Sequence, residues 1–461
     1  MSPRASTGLG AGARAIAALA CALLMCAAAP HARASGDDLE QYVSGPDSSY
    51  SWRQVSAGRI GSSEFVEAIL TSQTWRGIAW QHQLFVIKPA RLEMPHRQAF
   101  LYIDGGSWHP QYEYGIGAAV PADAEVFEHL AEVLRAPVAV IRQVPFEPIF
   151  GLREDALIAY TFDQYLKTGD ADWPLLLPMV KSAARAMDAT QQLALEHWGI
   201  PIERFTVAGA SKRGWTSWLV AAVDRRVASV APMVIAMLDI PEQLALQRAS
   251  FGALSGEIHD YEAAHLPERL DTPLGRELVS IVDPYRYRAR LTMPKLILLG
   301  TNDPYWPVDA LELYWGALPG EKRVLELPNQ THDLEDTDRL IGGLSALYRY
   351  SARNQALPQP VWSFGSVAQG QLQLSVRANR APVRVLAWTA SSASRDFRAS
   401  RWSSHACARA SGGYLCSAPL AGDGYTGLYA ELFFKDPHQP PFSFSTTVCL
   451  VKAGASGQPQ C

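Results

Sequence analysis

The chain has 461 residues, 48% of them hydrophobic and 19% charged, with 41 basic against 45 acidic side chains. This is ordinary globular composition, on a length that predicts one large domain and a smaller one. The mildly acidic balance gives no electrostatic case for nucleic acid or an anionic membrane as partner.

Arg4 and Arg14 precede an alanine-rich apolar run over 15–29, and Ala32-Arg33-Ala34 offers the small residues that a signal peptidase reads. A cleaved secretory signal is therefore expected over 1–34, with a periplasmic or secreted product. The run is too short for a stable membrane span, which needs roughly 20 apolar residues. Loss of Arg4, Arg14 and Arg33 takes the formal charge from −4 to −7.

A polar, mobile lead-in is expected over 35–49. Alternating apolar residues predict two antiparallel strands over 64–72 and 78–88, and the compact run Gln98-Ala99-Phe100-Leu101-Tyr102-Ile103 predicts a third. That strand runs into Asp104-Gly105-Gly106-Ser107, a loop whose paired glycines suit backbone approach to a ligand. Helical spacing over 122–134 places Val126, Leu130, Val133 and Leu134 on one face, and the continuous apolar run over 137–141 fits the middle of a parallel sheet. A helix over 181–199, a strand from Phe205, a helix after Ser211 and a strand over 227–235 continue the alternation. The class is therefore α/β, with a doubly wound sheet. Over about 236–290 the strands give way to a helical, polar-aromatic insertion above the active edge of the sheet. Glu257, His259 and Asp260 lie there at a spacing better explained by a solvated helix than by a metal. The sheet resumes over 294–300 and again over 323–327.

Ser211 stands between the run Phe205-Thr206-Val207-Ala208 and the helix that follows it. A strand, sharp turn and helix in that order lift a serine hydroxyl off the end of a sheet, which makes Ser211 the candidate nucleophile. The usual G-x-S-x-G signature is broken, because Arg213 takes its last position and the glycine follows as Gly214. Asp303 and His332 each follow the end of a predicted strand. The chain order Ser211, Asp303, His332, with one strand–helix–strand unit between acid and base, is that of an α/β-hydrolase triad. The backbone N–H of Lys212 and that of Gly106 or Ser107 are the candidate oxyanion hole.

Lys212 and Arg213 favour an anionic substrate group if they enter the cleft, or Arg213 turns away to pair structurally. Glu154 and Asp155 suit a substrate amine, or the first turn of a helix. Trp108, Trp215 and Trp306 border the same loops and serve either stacking on substrate or core packing.

From Leu357 short alternating strands separated by Gly, Ser and Pro predict a small all-β sandwich over 357–461, similar to a fibronectin type III or immunoglobulin-like module, after a main domain over 35–356. All four cysteines beyond the signal, Cys407, Cys416, Cys449 and Cys461, lie there. In an exported chain they predict up to two disulfides. The Gly412-Gly413 turn favours Cys407 with Cys416, leaving Cys449 with Cys461, one of three pairings open to four cysteines.

The motifs GASKRGWTSWLVAAVDRRV, VDPYRYRARL, PKLILLGTNDPYWPVDA, GEKRVLELPNQTH and AWTASSASRDFRASRW resemble the PhoPQ-activated pathogenicity-related protein family, which also includes autocrine proliferation repressor proteins. The resemblance spans about Leu39 to Val451. It implies an exported, virulence-related protein with an α/β-hydrolase-like domain and a small C-terminal β domain, and it carries the triad positions onto Ser211, Asp303 and His332. The turn is also similar to the G-x-S-R-x-G turn of glucuronoyl esterases, where the basic residue helps stabilise the oxyanion, which implies that role for the Lys212 side chain.

The expected function is acyl transfer to water by a serine hydrolase that needs no metal or organic cofactor, acting on a small-molecule ester, a carbohydrate ester or a peptide. The alternative is a non-catalytic secreted signalling or surface-binding protein on a hydrolase scaffold.

Overall fold

The computed structural model describes residues 36–93, 97–115, 124–437 and 439–461; the expected signal over 1–34 lies outside them. The chain is organised by one long sheet. Its first three strands, β1 (Ser51–Ile60), β2 (Ser63–Trp75) and β3 (Ile78–Lys88), pair antiparallel in succession. Next come β4 (Gln98–Ile103), β5 (Val138–Ile141), β6 (Arg204–Ala210), β7 (Val227–Met233), β8 (Lys295–Gly300) and β9 (Lys322–Leu327). These six run parallel in the spatial order β5-β4-β6-β7-β8-β9, with β3 antiparallel against β5.

The apolar runs in the parallel strands have a simple cause, since successive side chains point to opposite faces and both faces are covered. Leu101, Ala139, Ile141 and Val207 pack under the helices Leu176–Trp198 and Lys212–Val223. Phe100, Val138, Val140 and Ala208 pack under Ala124–Leu134 and Thr337–Ala352. The sheet order reverses at β4, so the loop after β4 and the turn after β6 leave the ends of adjacent strands. Such a switch point is where α/β sheets place their sites. Ile103 lies opposite Gly209, which sets Gly105 and Ser211 at the same level beyond the edge.

Between β7 and β8 the chain forms the expected helical insertion, including the helices Ile240–Phe251, His259–Ala263 and Pro273–Val282. The C-terminal strands are β10 (Pro360–Phe364), β11 (Gln371–Ala378), β12 (Arg384–Ser392), β13 (Ser403–Ala406), β14 (Ala408–Ala410), β15 (Gly413–Pro419), β16 (Tyr425–Asp436), β17 (Gln439–Ser445) and β18 (Cys449–Lys452). Four form an antiparallel sheet, β10-β11-β15-β14, while β17-β16-β12-β13, with β18 on β16, continue the main sheet through β9. The two antiparallel layers share a core in which Leu372, Leu374 and Val376 meet Val385, Leu428 and Leu432. Cys407 is bonded to Cys416 and Cys449 to Cys461. Gly342 allows the junction with the helix Thr337–Ala352, because a Cβ there would meet the Pro441 carbonyl oxygen at 2.4 Å.

Three local expectations differ from the structure. The lead-in is partly a helix, Gly36–Ser44, which buries Leu39 and Val43 one turn apart. β1 precedes the two expected antiparallel strands. The helix Ala124–Leu134 buries Leu130, Ala131 and Leu134 and turns Val126 outward, so its buried face is rotated from the expected one.

Candidate active site

Ser211 sits between β6 and the helix Lys212–Val223 at φ 55° and ψ −126°. A non-glycine residue held there costs about 1–3 kcal/mol. The surroundings hold it: the Ser211 N–H donates to Met233 O at 2.9 Å, and its carbonyl accepts from Trp215 N–H at 2.9 Å. Two glycines let helix and strand approach. A Cβ on Gly209 would lie 2.6 Å from Arg213 O, and one on Gly214 would lie 2.9 Å from both Gly209 O and Met233 O. Gly214, one place late in the sequence signature, thus has the close-packing role that the signature requires of its last residue.

Lys212 is the first residue of the helix, where backbone N–H groups have no intrahelical acceptor. Across the switch point, Gly105 O and Asp104 O accept from Gln143 N–H and Val144 N–H at 2.9 and 3.1 Å, which pins the loop after β4. Gly106 has φ 101°, a conformation that favours glycine, and Ser107 Oγ accepts from Arg153 Nε at 3.0 Å. Gly105 is small for a different reason, because a Cβ there would lie 2.3 Å from the Arg213 guanidinium.

Arg213 does turn away from the cleft. Its fork binds both oxygens of Glu154, at 2.7 and 2.8 Å, and Nε donates to Val144 O at 2.5 Å. Burial raises the Glu154 carboxyl, but the Arg213 fork and the Lys212 charge outweigh it and hold the group below its ordinary range. Beneath this pair, burial pushes the Glu147 carboxyl up to about 7, against the Glu154 N–H that it accepts. Of the two roles expected for Glu154, a substrate amine's partner or an acid in the first turn of a helix, the structure has the second: it opens the helix Glu154–Thr168 and is engaged by arginine.

Asp155 is engaged too. One of its oxygens accepts from Lys212 Nζ at 2.7 Å and the other from Tyr261 Oη at 2.9 Å. The Lys212 ammonium, which the glucuronoyl esterase likeness would aim at an oxyanion, is instead paired with Asp155, and Glu154 Oε2 lies 3.4 Å away. Tyr261 belongs to the inserted helices, so this network joins them to the turn at Ser211. Trp108 packs against Phe146 and Tyr112.

On the far side of the cleft His332 Nδ1 lies 2.9 and 3.1 Å from the two oxygens of Asp303. Asp303 is 6% exposed and also accepts the Tyr305 N–H at 2.8 Å. A carboxylate acceptor at Nδ1 places the ring proton there and leaves a lone pair on Nε2. The Tyr305 ring stacks on the imidazole at 4.2 Å. Nε2 is buried and without a hydrogen-bond partner, and His332 and Ser211 line one cavity, together with Lys212, Asp155, Trp215 and Trp306. No hydrogen bond joins Ser211 to Nε2 in this structure; a catalytic contact of this kind often tightens only with substrate bound.

The loops carrying Asp303 and His332 are also tied to the connection between β12 and β13. Asn302 Nδ2 donates to the carbonyls of Arg398 and Ser400 at 3.0 and 2.7 Å, and Asn329 exchanges two hydrogen bonds with the backbone of Trp402, at 2.8 and 3.0 Å. Gly300 lets the loops touch, since a Cβ there would meet Thr331 O at 2.4 Å. Replacing Asn302 by alanine is expected to raise amide exchange about 10-fold across 301–305 and 329–334, matching the loss of about 1.4 kcal/mol of hydrogen bonding. Hydrogen-exchange mass spectrometry reads this, and unchanged protection would show the tie to be incidental.

Tyr261, Asn302, Tyr305 and Asn329 were not singled out from the sequence. Asn302 and Tyr305 stand beside Asp303 inside PKLILLGTNDPYWPVDA, but the partners of Asn302, Asn329 and Tyr261 lie far away along the chain.

Residues 39–398 match the model of the PhoPQ-activated pathogenicity-related protein family. The chain belongs to that family. Autocrine proliferation repressor protein A of Dictyostelium discoideum is 31% identical over 386 residues, covering 78% of this chain and 76% of its own. Among solved structures, acetyl xylan esterase 1 from Thermoanaerobacterium sp. JW/SL YS485 superposes with a TM-score of 0.44 at 16% identity, over 68% of this chain and 94% of its own. An acetyl xylan esterase from Paenibacillus sp. R4 gives 0.45 at 12%, over 66% and 92%. An S-formylglutathione hydrolase from Agrobacterium tumefaciens gives 0.43 at 11%, over 65% and 99%. In this family member the mostly parallel α/β sheet is extended at one edge by C-terminal antiparallel strands.

Proposed function

We propose that this family member is an exported serine hydrolase that transfers an acyl group to water. The observation that carries the reading is the state of His332: Nδ1 is held by buried Asp303, while Nε2 lies buried and unpartnered on the wall that also bears Ser211. In the proposed mechanism Ser211 Oγ attacks the ester carbonyl as its proton passes to Nε2. Asp303 stabilises the imidazolium, and the backbone N–H of Lys212 and that of Gly106 or Ser107 receive the oxyanion. The imidazolium then protonates the departing alcohol. Water repeats the attack on the acyl-enzyme and releases the carboxylic acid. With the Lys212 ammonium paired, backbone donors rather than its side chain carry the oxyanion role. Two disulfides in the C-terminal strands suit an oxidising compartment and support export.

A fluorophosphonate probe tests the reading. The native protein is expected to take up one adduct, mapped to Ser211 by peptide mass spectrometry, and heat-denatured protein none. A native protein that stays unlabelled would place it with non-catalytic signalling or surface-binding proteins built on this scaffold.

A further inference from the structure

The cavity at Ser211 has an uneven chemistry. Its volume is about 90 Å³, and beyond Ser211, His332 and the Lys212–Asp155 pair its wall is almost wholly apolar, with Phe162 and Trp215 on one side and Leu244, Ile258, Leu278 and Val279 from the inserted helices on the other. The charges at its rim neutralise one another, because both Asp155 oxygens are engaged, by Lys212 and by Tyr261. Apart from the reacting groups, the open donor in this lining is the Trp306 indole N–H, so an anionic or polyhydroxylic group would exchange its hydration for a single N–H and an apolar wall.

We infer that this cavity receives a short, uncharged, apolar acyl group of about three to four carbons, so that the substrates are esters of small aliphatic or branched carboxylic acids. The inference rests on the serine hydrolase reading above and deepens it. Size sets the upper end: an apolar cavity of about 150 Å³ takes benzene, so one of this volume takes a chain of a few carbons and no fatty acyl tail. Apolar lining sets the lower end, since an acetyl group leaves most of the wall without contacts, whereas each further methylene buried is worth about fourfold in kcat/KM. The assignment to the acyl side follows from retention. The acyl group stays on Ser211 until water attacks, whereas the alcohol must leave after the first step. A pocket roofed by inserted helices, which the Tyr261–Asp155 contact holds to the turn, suits the retained part.

The test is kcat/KM for p-nitrophenyl acetate, butyrate, hexanoate and laurate, beside a series of alkyl acetates in which only the alcohol lengthens. The expected result is a rise of about 15-fold from acetate to butyrate, an optimum at butyrate, a fall at hexanoate and further at laurate, and little dependence on alcohol length. Leu244→Ala should move the acyl optimum from butyrate towards hexanoate, and Ile258→Phe should lower the ratio of butyrate to acetate; if either variant fails to fold, the wild-type series decides alone. A protein that labels at Ser211 yet hydrolyses acetate best, or that responds to alcohol length and not to acyl length, overturns the acyl pocket and leaves the hydrolase reading standing. One that neither labels nor hydrolyses any ester overturns both.

Discussion

Ser211→Ala is expected to lower kcat by about 10⁶-fold and Asp303→Asn by about 10⁴-fold, both with little change in KM, on whichever ester the native protein hydrolyses. The routes differ. Alanine at 211 removes the attacking oxygen and leaves only the binding and oxyanion contributions. Asparagine at 303 still offers a carbonyl to the Tyr305 N–H, which Asp303 now accepts at 2.8 Å. Its amide N–H, however, would donate to His332 Nδ1 where the carboxylate accepts. That reverses the ring tautomer, puts the proton on Nε2 and leaves no lone pair there for the serine proton. Fluorophosphonate labelling should slow with Asp303→Asn as hydrolysis does. If Asp303→Asn keeps wild-type kcat, the contact between Asp303 and His332 is structural and the proposed mechanism fails at its base.

The parts of the fold legible in the sequence are those in which one physical constraint acts locally. Strands β4 to β9 lie between helices on both faces, and this writes itself as apolar runs such as Val138-Ala139-Val140-Ile141. Strand ends then place Ser211, Asp303 and His332 without any knowledge of contacts. β1 was not legible because it is an edge strand with mostly exposed residues and no alternation. The helix Gly36–Ser44 was missed because only Leu39 and Val43 mark its buried face. β13 and β14 are short and exposed, so they leave no pattern. Within the site, residue type was legible and pairing was not. Lys212 and Arg213 read as cations that either enter the cleft or, for Arg213, pair structurally, and only the fold shows that Asp155 and Glu154, more than 50 positions earlier, are the partners. The tie from Asn302 and Asn329 to 398–402 depends on contacts 73 to 98 residues apart, which no local pattern encodes.

The pairing of Arg213 with Glu154 has a measurable consequence of its own. Arg213 is 8% exposed and stands two residues after Ser211, with its own backbone packed on Gly209. Removing one partner of a buried ion pair costs about 3–5 kcal/mol, because the other charge is left uncompensated. The Glu154 side chain is 38% exposed, so water can replace it in part, and the expected cost of Glu154→Ala is smaller, about 2–4 kcal/mol. Glu154→Gln keeps an acceptor for the fork and loses only the charge, so about half that loss is expected, and denaturant midpoints at pH 7 should rank the three proteins in that order. The pH dependence gives a second reading. The folded Glu154 carboxyl is held below its ordinary value of 4.5, so its contribution is present above 4.5 and is lost as pH falls through the lower folded value. The stability gap between wild type and Glu154→Gln should therefore narrow in acid. A gap that stays constant down to full protonation, or an alanine variant as stable as wild type, would mean that Val144 O and the more distant Glu147 and Asp104 already satisfy Arg213, and that Glu154 is not what fixes the first turn after the nucleophile.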